Sequence, residues 1–174
     1  MRNFSACLIS AILLFACSKP QQSKISDYQP EEFEGGWLLS EVQWISADTT
    51  VTFNPEQKGV FIFSEGSYSI QWSPSTNKRT PFKNLSEPED TEVLTAFRSV
   101  VFNAGTYLYT DSTITATALI AKVPGFEGGK QYYSYSIIDE QLSLTMFDET
   151  YPNGDKPKWS GVWQTKFVLT PLKP

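Results

Sequence analysis

From Gly35 onward, aromatic and β-branched residues alternate with serine, threonine and glutamine, and glycine, proline, asparagine or aspartate interrupt this pattern at short intervals. Successive side chains of a β-strand point to opposite faces of a sheet, so a two-residue period is typical of strands with one buried face. In residues 67–73, for example, Tyr68, Ile70 and Trp72 fall on the same face. The alternation therefore predicts an antiparallel all-β domain over residues 35–174.

Eight segments carry this strand pattern. They are residues 37–45, 59–63, 67–73, 106–110, 113–122, 130–138, 141–147 and 159–169. An open sheet of this size would leave two unpaired edges, whereas a closed barrel has none. A barrel of about eight strands has just enough interior for packed side chains or one small ligand. We therefore predict a β-barrel of about eight to ten strands.

One segment, residues 86–102, has a helical period instead. Ser86 with Glu89 three residues later has the form of a capping box, in which each side chain binds the backbone N–H of the other residue. Apolar residues such as Val93 and Phe97 then recur at helical spacing. We predict one amphipathic helix, inserted between strands and packed over the barrel or across one of its openings.

The N-terminus has the features of a secretion signal. Arg2 precedes an apolar run over residues 6–16, which is too short to span a bilayer and has the length of a signal-peptide core. Leu14 and Ala16 before Cys17 resemble the lipobox of bacterial lipoproteins. We therefore expect residues 1–16 to be removed and Cys17 to be lipidated; an ordinary cleaved signal or a buried hydrophobic helix are the alternatives.

Residues 17–34 are polar and contain prolines, glutamines and charges without an apolar period, which predicts a lipidated cysteine followed by a flexible tether. The expected localisation is the bacterial cell envelope, with the lipid as the contact to the membrane. Ser18 after the cysteine, in place of aspartate, is compatible with the outer membrane. The folded domain would then begin at Gly35.

Composition narrows the chemistry. The chain has no histidine, and of its two cysteines Cys7 lies within the signal and Cys17 at the lipidation site. Serine-type and thiol-type triads, disulfides and the commonest transition-metal ligands are therefore excluded from the mature domain. A net charge of −5 without basic clusters argues against nucleic acid as a partner. No catalytic residue, cofactor or metal site is predicted.

The order and spacing of several short motifs resemble the bacterial lipocalin-like domain family, which are small barrels of the calycin type. The matching segments are residues 36–39, 59–63, 66–70, 104–107 and 142–146. The resemblance implies a lipocalin-like barrel. Many relatives have a histidine in the strand equivalent to residues 113–118, where this chain has none, and Lys166 stands near the position of a basic residue that would lie over Trp37.

The strongest compositional anomaly is aromatic, with 5 Trp, 8 Tyr and 12 Phe. Alternation would turn many of these rings inward, where they would either form apolar walls of a ligand pocket or fill a small barrel. The candidate interior residues share positions on predicted inward faces. They are Trp37, Glu41, Phe61, Tyr68, Ile70, Trp72, Tyr107, Tyr133, Tyr135, Leu144 and Met146. Glu41 falls on the side of Trp37 and Leu39 and would be the one inward carboxyl group, unless it is solvated near the barrel mouth.

Three functions remain open. The first is a non-enzymatic, membrane-anchored barrel that binds a small hydrophobic or amphipathic molecule. The second is a filled barrel that docks a protein of the envelope, with exposed rings at Phe126 or Tyr151. The third is an isomerase or cyclase that uses Glu41 and interior tyrosines on a lipid-like substrate. An oxygen-rich loop around Asp148, Glu149 and Asp155 is either solvated or a calcium site, although its spacing is not that of an EF-hand.

Overall fold

A computed structural model describes residues 31–173 of the chain, so the predicted signal peptide, Cys17 and most of the predicted tether lie outside the described residues. The described part contains nine strands and one helix. These are β1 (Gly35–Ile45), β2 (Thr50–Phe53), β3 (Val60–Ser64), β4 (Ser67–Trp72), α1 (Asp90–Arg98), β5 (Val101–Tyr109), β6 (Thr113–Ala121), β7 (Lys130–Ile138), β8 (Gln141–Thr150) and β9 (Gln164–Pro171).

Strands β1 and β3 to β9 form a closed antiparallel barrel of eight strands, in which β9 pairs with both β8 and β1. Strand β2 is an additional strand that pairs with the C-terminal half of β1, beyond the point where β3 leaves it. The prediction of an all-β barrel with one inserted helix is confirmed. Strand β2 was missed, β5 begins earlier than predicted, and residues 159–162, which were predicted to begin the last strand, form turns before β9.

Tight turns fix the register of the hairpins. Glu65 and Gly66 between β3 and β4 have φ of 47° and 76°, and Asp139 and Glu140 between β7 and β8 have φ of 50° and 60°. Two consecutive positive φ angles define the turn whose twist matches that of a two-residue β-hairpin. Glycine adopts this conformation without steric cost, which explains Gly66 in the clearest predicted hairpin.

A β-bulge in β1 changes which side chains enter the barrel. The register of β1 with β9 shifts between Leu39 and Glu41, so the inward sequence continues from Leu39 to Val42, which is fully buried. Glu41 is half-buried and accepts a hydrogen bond of 2.6 Å from Gln43, which shares its face. The prediction that Glu41 points inward with Trp37 and Leu39 is therefore wrong, because the bulge inserts one residue and reverses the alternation.

One end of the barrel, here called the closed end, is sealed by Phe33. Its side chain is fully buried and its ring lies 4.9–5.7 Å, centroid to centroid, from rings of the barrel. These rings belong to Phe63, Tyr107, Tyr109 and Tyr135. The predicted tether therefore ends before Phe33, which belongs to the folded domain and seals the closed end of the barrel.

Two hydrogen bonds stabilise the closed end. The Trp37 indole N–H donates to the carbonyl oxygen of Phe33 at 2.8 Å, and the Tyr107 hydroxyl donates to the Glu34 carboxylate. Lys166 pairs with Gln43 and Thr145 in the strand register, away from the closed end. The expected contact of Lys166 with Trp37 is thus replaced by Phe33, which packs onto the core from outside the strands.

Helix α1 is shorter than predicted and lies at the surface. The capping box is formed by Glu89 and Glu92 and not by Ser86 and Glu89, so the helix starts at Asp90. None of its residues is buried, and the side chains of Val93, Leu94 and Phe97 are each nearly half exposed. Within residues 31–173, no helix is long and apolar enough to cross a bilayer.

Candidate functional site

The predicted interior residues, with the exception of Glu41, meet in one core. Eight of them belong to the buried cluster, and Tyr135 and Met146 are partly buried against it. The buried eight are Trp37, Phe61, Tyr68, Ile70, Trp72, Tyr107, Tyr133 and Leu144. Phe167 lies between two of these rings, with centroids 5.1 Å from both Phe61 and Trp72. The aromatic residues thus pack against one another from the closed end to the middle of the barrel.

The opposite end of the barrel, here called the mouth, holds a pocket of about 410 Å³. Its floor consists of Asn103 on β5, Gln131 on β7 and Glu149 on β8. Its walls are apolar, and they include Val101, Phe102, Ala121, Val123, Phe126 and Tyr151. This volume lies in the range typical of small-molecule sites, and a mostly apolar lining with a few polar groups is typical of them too.

Strand register places the three floor residues together. Gln131 is directly opposite Glu149 in the β7–β8 pair, and residues opposite each other in an antiparallel pair share a face. Asn103 lies opposite Ile70 of the buried core and opposite Ala121 of the pocket wall. Asn103 and Gln131 are both buried. The floor of the pocket is therefore the upper layer of the barrel interior.

A chain of hydrogen bonds determines how the floor is oriented. The Gln131 side-chain carbonyl accepts from the Tyr133 hydroxyl at 2.7 Å and from the Asn103 amide at 3.1 Å. The Gln131 amide donates to Glu149 at 2.7 Å. Because the Asn103 amide nitrogen faces Gln131, its carbonyl oxygen Oδ1 faces away, and within residues 31–173 that buried atom has no hydrogen-bond partner.

Burial raises the pKa of the Glu149 carboxyl group, and the nearby charge of Asp148 also raises it, whereas the hydrogen bond from Gln131 lowers it. Burial likewise raises the pKa of Tyr133 well above its ordinary range, which keeps its hydroxyl a donor to Gln131. The floor thus contains a half-buried carboxyl group, Glu149, and a buried acceptor without a partner in the described residues, Asn103 Oδ1.

The cationic group of the lining lies at the rim. Lys122 Nζ donates to the Phe97 carbonyl oxygen at 2.9 Å and lies 4.6 Å from the centroid of the Phe97 ring. Both contacts direct the ammonium group toward helix α1. Its charge is therefore already partnered by the helix and is not committed to the pocket floor.

A second mouth pocket of about 320 Å³ lies beside β1, β8 and β9. It is lined by Trp44, Trp159, Trp163 and the predicted residue Met146, together with Val51 and Thr165. The predicted residue Trp72 lines a third pocket of about 280 Å³ near the end of β4. These two pockets therefore touch two of the predicted residues, and the buried polar residue Ser73 belongs to the lining of the third pocket.

The oxygen-rich loop is divided between two faces of β8. Asp148 binds Lys156 at 2.5 Å and Ser160 at 2.6 Å, and the Lys156 contact lowers the pKa of its carboxyl group most. Glu149, the next residue, faces the pocket instead. In the described range, no group of three acidic, cysteine or histidine side chains is arranged to hold a metal ion.

Sequence reasoning missed the floor residues for separate reasons. Asn103 was overlooked because the predicted helix ended at residue 102 and the next predicted strand began at residue 106, whereas β5 already begins at Val101. Gln131 was within a predicted strand and has the same parity as Tyr133 and Tyr135, so its inward direction was available from alternation alone. A polar residue on a predicted inward face was the signal that would have identified the site.

The fold and the site define the class of protein: a closed antiparallel barrel with one sealed end and one mouth that carries a pocket. A sequence model of the lipocalin-like domain matches residues 34–171. The chain therefore belongs to the lipocalin-like domain family. No curated protein is similar enough to the chain to count as a match.

Proposed function

We propose that this protein is a membrane-anchored lipocalin-like lipoprotein that binds a small amphipathic molecule in the mouth pocket. The barrel family supports binding of a small ligand in general terms. The observation that carries the proposal is the buried, unpartnered Oδ1 of Asn103 at the floor of a largely apolar pocket. A buried acceptor without a partner costs free energy, and a ligand donor would remove that cost.

The polar floor and the apolar walls together fit an amphipathic ligand. The apolar part would lie against side chains such as Val101 and Phe102, while a polar group would reach Asn103. The predicted aromatic residues fill the barrel beneath the pocket, so the ligand would lie at the mouth. The pocket volume of about 410 Å³ limits the size of the bound molecule.

Binding is tested by calorimetric titration and thermal melting of the full chain with a panel of lipids and small aromatic molecules. A ligand present at 100 times its Kd raises the free energy of unfolding by about 2.7 kcal/mol. Ala121→Phe fills the pocket and is expected to weaken binding at least about tenfold. Leu119→Phe is the matched control, because Leu119 is on the same strand but exposed. Absence of binding by the entire panel would overturn the proposal.

Anchoring is the second part of the proposal, and it rests on the sequence around Cys17. Two or three acyl chains on one cysteine hold a protein stably to a bilayer. In a bacterial host, Cys17→Ala is expected to move the protein from the membrane fraction to the soluble fraction, whereas Cys7→Ala leaves it in the membrane. Equal membrane recovery of both variants would contradict lipidation at Cys17.

Docking of an envelope protein is the second candidate function, and the filled barrel interior favours it. The two rings expected to be exposed contact each other, with the Phe126 and Tyr151 centroids 6.3 Å apart, and both line the mouth pocket. The enzymatic hypothesis loses its proposed acid, because Glu41 lies on the opposite face of β1 from the interior tyrosines.

A further inference from the structure

We propose that the mouth pocket selects amphiphiles whose head is a primary ammonium group, held between the Asn103 carbonyl oxygen and the Glu149 carboxylate. This inference rests on the proposed function, since it specifies the head group of the ligand that the pocket binds. It commits to a cation with several N–H donors and excludes fatty acids as the preferred ligands.

The hydrogen bonds of the floor leave acceptors without donors. The Gln131 carbonyl accepts two hydrogen bonds, and the Gln131 amide donates one to Glu149. Asn103 donates one amide N–H to Gln131, and its Oδ1 is a buried acceptor without a partner in the described residues. Gln131 is also the one donor that residues 31–173 provide to the Glu149 carboxylate. The acceptors that still lack donors are therefore Asn103 Oδ1 and the Glu149 carboxylate, and an ammonium group has three donors whereas a hydroxyl has one.

The charge around the floor also favours a cationic ligand. The charged groups near the floor are Glu149 itself, Asp148 on the next position of β8, and Lys122 at the rim. Asp148 is paired with Lys156, and Lys122 is held by the Phe97 carbonyl and ring. The Glu149 carboxylate is thus left without a cationic partner in a partly buried position, where an incoming cation is favoured and a ligand carboxylate is repelled.

The wall beside the pocket floor is aromatic. Phe126 and Tyr151 form an edge-to-face pair at 6.3 Å and an interplanar angle of 84°. Aromatic faces attract ammonium groups through the ring quadrupole, and they also accept an alkyl chain. An alkylammonium ligand therefore matches both the walls and the floor.

The test compares three ligands with the same eight-carbon chain on the full-length protein at pH 7: octylamine, octanol and octanoate. Calorimetric titration is expected to give octylamine a Kd about tenfold lower than octanol, and octanoate the weakest binding. Glu149→Gln is nearly isosteric and is expected to weaken octylamine about tenfold while leaving octanol within about twofold. Glu65→Gln is the control, since Glu65 is exposed in the turn at the closed end.

A second variant keeps the inference falsifiable if Glu149→Gln alters the fold. Phe126→Leu retains an apolar side chain but removes the ring, and it is expected to weaken octylamine more than octanol. Octanol or octanoate binding as tightly as octylamine would overturn the ammonium inference and leave ligand binding standing. No binding of any of the three, together with none in the wider panel, would overturn the proposed function itself.

Discussion

Phe33 carries more of the barrel's stability than its position before the first strand suggests. Its fully buried ring contacts four aromatic rings at the closed end, and its carbonyl oxygen accepts the Trp37 indole N–H. The same contacts explain why the folded domain starts before Gly35. Sequence reasoning placed Phe33 in the tether because a single aromatic residue among glutamates has no period.

Phe33→Ala is expected to lower the free energy of unfolding by about 3–5 kcal/mol, because it removes a buried ring and leaves a cavity at the closed end of the barrel. Phe97→Ala is the control, since the Phe97 side chain is 44% exposed on α1, and its cost should stay below about 1 kcal/mol. Urea unfolding followed by fluorescence measures both. Equal costs for the two variants would contradict the role of Phe33 as the seal.

Adjacent carboxyl groups at Asp148 and Glu149 should have opposite effects on pH-dependent stability. Burial raises the pKa of Glu149 above its ordinary value of 4.5, so the folded state favours its protonated form. That stabilisation is present below pH 4.5 and is lost as the pH rises through the folded-state pKa. Glu149→Gln is therefore expected to be more stable than the wild type at pH 7, and this advantage should vanish in acid.

Asp148 provides the opposing control, because the hydrogen bonds from Lys156 and Ser160 lower the pKa of its carboxyl group below the ordinary 3.8. Its stabilisation is present above pH 3.8 and is lost as the pH falls through the folded-state pKa. Asp148→Asn should thus be less stable than the wild type at pH 7. Unfolding curves measured across this pH range are expected to show shifts of opposite sign, and a shift of both variants in the same direction would contradict one of the two assignments.

Among the secondary-structure elements, the long alternating strands could be predicted from the sequence and the irregular ones could not. Strand β2, Thr50–Phe53, is short and mostly exposed, so it shows no clear burial period. The bulge between Leu39 and Glu41 has no glycine to mark it, and one extra residue was enough to misdirect Glu41. The helix was predicted too long because its apolar spacing runs into β5 at Val101.

The pairing of β5 with β6 depends on a glycine at its bulge. A Cβ atom added to Gly105 would lie 2.0 Å from the Thr117 carbonyl oxygen and 2.8 Å from the Leu119 nitrogen. Both neighbours are backbone atoms of the partner strand, which cannot move without breaking the ladder. The close approach of the two strands thus requires the absence of a side chain at this position.

Gly105→Ala is expected to destabilise the protein by about 3 kcal/mol or more, through overpacking of the β5–β6 pair. Gly154→Ala is the matched control, because Gly154 has a φ of 89° but nothing within 4 Å of an added Cβ. Its cost should be that of left-handed backbone alone, about 1 kcal/mol. Thermal melting distinguishes the two, and a similar loss in both variants would show that the close contact is relieved locally.

For the whole molecule, β9 is the element that closes the barrel. It pairs with β8 on one side and, from Trp37 to Ile45, with β1 on the other. Without it, β1 and β8 would both expose unpaired backbone groups along most of their length, and such edges promote aggregation. Closure therefore depends on the last strand that the chain supplies.

Removal of residues 164–174 is expected to abolish the monomeric folded state, because the two freed edges pair between molecules. Removal of residues 173–174 only is the control, since β9 ends at Pro171. Size-exclusion chromatography with near-ultraviolet circular dichroism measures the outcome. A truncated chain that stayed monomeric with native aromatic dichroism would contradict the requirement for closure.

The hydrogen-bonded floor at Asn103, Gln131 and Glu149 divides the protein into two layers with different tolerance to change. Below it, tightly interlocked rings leave little freedom for substitution, because each one touches several others. Above it, the pocket is bordered by loop residues such as Val123 and Phe126, which carry no barrel pairing. Lys122, Gly128 and Gly129 make backbone hydrogen bonds to strands β5 and β6 and would be kept. Exchanging residues 123–127 would therefore retune recognition while the barrel beneath keeps its shape, which makes this architecture a natural starting point for engineered receptors.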